Sequence, residues 1–131
     1  MKKLLLFTAF TAFLFSCQTP SKLHVNEQWK LTQLNSKDLT KTNVEITLNF
    51  DTAKMEITGK GGCNNYFGNY KLNENELEVG ELGATKMSCG DDDLLENEYF
   101  QALQGKLNLK NVDNRLEMTK EGKTVMVFVK K

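Results

Sequence analysis

Few side chains in this 131-residue chain could do covalent or metal chemistry: three cysteines, Cys17, Cys63 and Cys89, and one histidine, His24. A cysteine nucleophile needs a base beside it, and His24, in a polar stretch near the start of the chain, has no nucleophile near it in sequence. Zinc needs four ligands. Beyond Cys63 and Cys89 the sequence offers only His24 and carboxylates, with no paired spacing. Asp91-Asp92-Asp93 could attract calcium, but the alternating oxygens, the glycine and the closing glutamate of a calcium loop do not follow. Gly59-Lys60-Gly61-Gly62 resembles a phosphate loop only faintly, because Gly and not Ser or Thr follows Lys60. We therefore expect no enzyme, no cofactor and no metal site. Formal charge is zero, 17 basic against 17 acidic residues, so no basic excess points to nucleic acid.

Cys17 has its own context. Lys2 and Lys3 precede an apolar run from Leu4 to Phe15 in which Thr8 and Thr11 are the only polar side chains. Twelve helical residues span roughly 18 Å, short of a ~30 Å hydrocarbon core, so a signal peptide is the better reading than a membrane-spanning helix. The run ends Leu14-Phe15-Ser16-Cys17. This resembles the lipobox of bacterial lipoproteins, with Phe15 bulkier than usual at a tolerant position. The resemblance implies cleavage after residue 16, a diacylglycerol thioether on Cys17 and an acylated amine. Residues 1–16 are then the signal peptide, and 17–26 are the lipidated cysteine and a short tether. The expected location is the bacterial cell envelope, lipid-anchored in the outer membrane and facing the periplasm. Neither an acidic run nor an Asp at 18 redirects it.

The elements that must position the remaining cysteines read mainly as strands. Trp29, Leu31 and Gln33 alternate with Lys30, Thr32 and Leu34, up to a turn at Asn35-Ser36. Val44, Ile46, Leu48 and Phe50 alternate with polar residues, and Met55 and Ile57 continue the pattern after a turn at 51–54. Further hairpins are expected around 73–75, 113–114 and 121–122, with Val125, Val127 and Val129 in the last strand. One segment differs. Leu95, Tyr99, Ala102 and Leu103 recur at helical spacing with Phe100 beside them, after Asp91, Asp92 and Asp93 as N-terminal caps and before Gly105 as a stop. The fold class is therefore α+β and β-rich: an antiparallel meandering sheet or partly closed barrel, with one packed helix near 92–104. Trp29, Tyr66, Tyr70, Tyr99 and Phe100 are assigned to the core. Asn64, Asn65 and Asn69 are assigned to turns, and Glu74, Glu76, Glu78 and Glu81 to a solvated face.

Two clusters carry a further signal. The first is Gly59-Lys60-Gly61-Gly62-Cys63-Asn64-Asn65-Tyr66-Phe67-Gly68-Asn69-Tyr70, and the second is Thr85-Lys86-Met87-Ser88-Cys89. With Trp29 and Leu31 before them, and Glu98, Phe100 and Leu103 after, they resemble the META domain family, which includes the heat-shock protein HslJ. The matching positions are Gly59, Gly62, Cys63, Asn64, Tyr66, Gly68, Tyr70, Thr85, Met87 and Cys89, and the domain would occupy 27–131. The resemblance implies a compact β-rich domain with one helix, commonly lipid-anchored and linked to stress or antibiotic tolerance. It brings no catalytic residue.

Cysteine arithmetic adds a point of its own. With Cys17 lipidated, Cys63 and Cys89 are left in an oxidising space. A disulfide is expected between them, with two buried free thiols or zinc ligation as the alternatives. The functional expectation is a monomeric, non-enzymatic envelope lipoprotein that binds or stabilises an envelope component and has an envelope protein as partner. The alternative is an inhibitor or accessory protein that presents a 59–70 loop to a partner enzyme.

Overall fold

The computed structural model describes residues 25–131, so the expected signal peptide at 1–16, Cys17 and His24 lie outside the described residues. In chain order the elements are β1 (Trp29–Leu34), β2 (Lys37–Asp38), β3 (Thr47–Asp51), β4 (Glu56–Lys60), β5 (Asn65–Asn73), β6 (Glu76–Ala84), α1 (Asp92–Leu103), β7 (Gly105–Val112), β8 (Arg115–Lys120) and β9 (Lys123–Lys130). The sheet order is β2-β1-β3-β4-β5-β6-β7-β8-β9, and β1 also pairs antiparallel with β9. Eight strands thus close into an up-and-down barrel with β2 as an extra strip beside β1. Of the two architectures expected, the structure takes the barrel, and its ring is closed. Closure follows from period-two patterning: each strand puts alternate apolar residues inside, and joining β1 to β9 removes both edges of the meander.

The interior is filled by residues such as Leu48, Ile57, Leu77, Leu116, Met118 and Phe128, each 0% exposed. Helix α1 adds Tyr99 and Leu103, also 0% exposed. The Tyr99 ring meets Tyr66 of β5 and Phe128 of β9 edge-on, at centroid distances of 5.6 and 6.4 Å. The helix C-terminus has no basic residue of its own in its last turn. Lys120 of β8 supplies one, donating to the carbonyls of Gln101 and Gln104 at 3.2 and 2.5 Å.

Several local expectations shift. Simple alternation from Trp29 would bury Gln33 and expose Leu34, yet Leu34 is fully buried. The β1–β9 register shifts between Leu31 and Gln33, and one extra residue exchanges the two faces. In β9 the valines sit half-buried, while Met126 and Phe128 fill the interior. Met55 does not continue its strand. It is 39% exposed with φ 55°, and ends the turn before β4. Val25, assigned to the tether, packs against the core. Asp91 makes no side-chain cap to α1. Asp93 reaches back instead, accepting from the Cys89 N–H at 3.0 Å and from the Ser88 hydroxyl at 3.3 Å.

Tyr66 and Tyr99 share a buried hydroxyl contact of 2.6 Å, and Tyr66 donates onward to the Thr47 carbonyl at 2.8 Å. Burial pushes both phenols above the ordinary range. The unfolded chain therefore gives up these protons at lower pH than the folded one. The stabilising contribution is complete below pH ~10 and falls as pH rises past it. Urea unfolding at pH 8 to 11.5 is expected to show this loss, and Tyr99→Phe is expected to flatten the slope.

Candidate functional site

The two sequence clusters meet at the end of the barrel under α1. Between β4 and β5 the chain turns through Gly61-Gly62-Cys63-Asn64, closed by the Gly61 N–H donating to the Asn64 carbonyl at 2.7 Å. Gly62 has φ 121°, which side-chain-bearing residues rarely adopt. A Cβ on Gly61 would lie 2.7 Å from the Phe100 ring, so the absence of a side chain lets the helix sit on the bend. Gly59 pairs opposite Tyr66, and Gly68 opposite Ile57. Tyr66 and Tyr70 are core residues, as expected.

The polar centre of this region is Glu96, a helix residue only 6% exposed. One of its oxygens, Oε2, accepts from the backbone N–H of Cys63 at 3.1 Å and of Asn64 at 2.6 Å. The other, Oε1, accepts from the Asn64 side-chain amide at 2.7 Å. Sequence reasoning missed Glu96. It read the buried helix face as 95/99/102/103, whereas Glu96, Tyr99, Ala102 and Leu103 are buried. The available signal was an acidic residue three positions before Tyr99, on the face that must meet the bend.

Asn64 is not a turn residue on the surface; it is 4% exposed. Its Nδ2 also donates to the Met87 carbonyl at 3.0 Å. Its Oδ1 accepts from the Met87 N–H at 2.7 Å and from the Thr85 hydroxyl at 2.8 Å. One side chain thus ties three segments together: the bend, the helix and a strap at 85–89. Asn65 and Asn69 are exposed.

The strap has further fastenings. The Thr85 N–H donates to the Asn65 carbonyl at 3.1 Å. Cys63 and Cys89 are joined by a disulfide with Cα atoms 6.0 Å apart, inside the range such bonds require. Cys63, Cys89 and Asp93 place their ligand atoms within 4.8 Å of one another, but sulfurs bonded to each other offer no thiolate to a metal. The bond closes a loop of about 27 residues, for which chain entropy gives about 3–4 kcal/mol. Reduction is expected to lower unfolding stability by up to that amount. Urea titration of oxidised and reduced protein, with alkylation controls, measures it.

The 59–70 segment is therefore not a presented loop. It is strand, buried bend and strand, which corrects the premise of the inhibitor reading. What does face solvent is the strap. Met87 is 60% exposed there, and on β5, opposite Gly83, the Phe67 ring is 57% exposed as well. Between the strap and α1 runs an open groove of about 430 Å³, lined by Leu82, Ala84, Lys86, Met87, Asn97 and Phe100 among others. Phe100 is half-buried, packing edge-on against Tyr66 at 5.3 Å while also forming groove wall. Phe100→Ala is expected to cost about 2–3 kcal/mol, below the 3–5 of a fully buried ring, as thermal or urea melts would measure.

The profile of the META domain matches residues 21–131. No curated protein matches the chain. Two solved structures, both determined by NMR, are similar in fold. The first is 24% identical with a TM-score of 0.63, covering 80% of this chain and 89% of its own. The second, from Burkholderia xenovorans, is 22% identical with a TM-score of 0.64, covering 81% of this chain and 82% of its own.

Proposed function

Since the chain belongs to the META domain family, we propose that it is a lipid-anchored envelope protein that acts by binding, not catalysis, through the strap–helix groove. The observation that carries this reading is what the buried polar residues hold in place. Asn64, Thr85 and Glu96 hold a strap whose own side chains, Lys86 and Met87, point away from the core. The network steadies an exposed apolar side chain beside a groove, which is the arrangement a binding surface needs. The Glu96 carboxylate accepts three hydrogen bonds from the bend, which gives it a positioning role in this reading.

Cys17 supplies the anchor in this proposal, with the domain held near an outer-membrane surface facing the periplasm. The role is tolerance of envelope or antibiotic stress through an envelope component, by a monomer. Labelled palmitate should enter the wild-type protein and not Cys17→Ser; label in the Ser variant would refute the anchor. A deletion strain under envelope stress should be rescued by wild type and not by Met87→Glu. Full rescue by that variant, folded and at normal abundance, would refute the groove.

A further inference from the structure

We infer that the groove receives a single extended peptide segment, carrying alternate apolar and basic side chains, that adds as a strand to the open edge of β6; this rests on the groove reading above. The geometry begins with the β5–β6 pairing. The Thr85 N–H points at Asn65 of β5, and backbone direction alternates along a strand. Leu82 and Ala84, opposite Gly68 and Tyr66 in the register, therefore turn their N–H and C=O groups away from β5, and Lys86 continues the series. On that side β7 accompanies β6 only along Glu76–Val79, which pair with Asn108 through Gly105. Before Gly105 the chain is helix, not strand. From Leu82 to Lys86 the edge has no backbone partner among the described residues. All three of these residues line the groove.

An open edge inside a closed barrel is a ready template for one more strand. The opposite wall selects what can come. Asp93, Glu96, Asn97 and Phe100 of α1 form the facing wall, and the space of about 430 Å³ between them and β6 is on the scale of a short ligand segment, not of a second sheet. Charge selects further. Asp93 lies in the wall, Asp91 and Asp92 precede it, exposed Glu81 sits on the edge strand, and among the described residues Lys86 is the one basic side chain of the lining. Half-exposed Leu82, Ala84 and Phe100 provide the apolar side. The ladder gives affinity, and the two kinds of wall sort alternate side chains.

The test uses the whole domain and acetyl-Val-Lys-Val-Lys-Val-Lys-amide, followed by ¹⁵N–¹H NMR. Saturable binding is expected, with amide exchange at Leu82, Ala84 and Lys86 slowed at least tenfold. N-methylation of alternate peptide residues should weaken binding at least tenfold, as should Glu in place of Lys. Ala84→Pro should do the same with the barrel spectrum intact, because that N–H faces away from β5. The N-methylated peptide keeps the test decisive should the proline variant fail to fold. Absent binding, protection elsewhere, or equal binding of the N-methylated peptide overturns the inference. Protection of the three amides in a peptide-free dimer would overturn it too. If an envelope component crosslinks through residue 86 and protects none of the three amides, the groove reading stands and strand addition falls.

Discussion

Glu96→Ala is expected to lower unfolding stability by about 4–6 kcal/mol, the largest effect of any single polar substitution in the domain. The carboxylate is 6% exposed and satisfies three donors: the Cys63 and Asn64 N–H groups and the Asn64 amide. Alanine leaves all three facing a void. Each buried donor without a partner costs about 1–3 kcal/mol, and bonds to a charged acceptor stand at the upper end. The gain in helix propensity, a few tenths of a kcal/mol, offsets little of this. Against a typical reserve of about 5–15 kcal/mol the variant should be marginal. Glu96→Gln separates charge from shape. Its single carbonyl can take the place of Oε2 and serve the two backbone donors, but its amide then meets the Asn64 amide, donor against donor. A cost of about 2–3 kcal/mol is expected. Urea unfolding of the oxidised protein reads both, and equal stability of Glu96→Ala and wild type would remove Glu96 from the centre of the site.

The barrel was legible because its strands are half-buried and short. Leu107 to Met118 alternates so regularly that strand, turn and face follow from the period alone, whereas the alternation from Val44 to Phe50 becomes a strand only from Thr47, which is itself buried. The exceptions sit where one residue is added to a strand. Nothing in Leu31-Thr32-Gln33 announces the shift that buries Leu34, because a bulge is set by the partner β9 and the partner is 90-odd residues away. The disulfide was legible from counting, once the expected lipidation set Cys17 aside. The site was only half legible. Its residue types stood out as clusters, and Asn64, Thr85 and Met87 all lie at its centre. Their roles did not, because an asparagine before a strand is cheaply explained as a turn former. Only the approach of α1 and the strap converts it into a buried junction, and such contacts, 23 and 32 residues apart, leave no local pattern.

Asn64→Ala is expected to cost about 3–5 kcal/mol and, unlike Glu96→Ala, to act first on the strap. The side chain makes four hydrogen bonds: to Glu96, to both backbone groups of Met87 and from Thr85. The bond to Glu96 is fully buried and charge-assisted, so its loss weighs about 1.5–3 kcal/mol. Those to Met87 and Thr85 lie beside the groove, where water can replace part of them, and each weighs less. The strap would still be held by the disulfide and by Thr85 to Asn65. Amide exchange at Met87 should therefore accelerate well before that in β7–β9, and uniform acceleration across the barrel would contradict a local role. Asn64→Asp should be worse than Ala at neutral pH, because a second carboxylate oxygen would stand where Nδ2 meets Glu96 Oε1 at 2.7 Å. The double variant of Asn64→Ala with Glu96→Ala should cost less than the sum by about 1–2 kcal/mol, since both singles break the same bond. Strict additivity would mean that the bend, the strap and the helix are fastened separately, and that Asn64 is not the junction through which the helix steadies the groove.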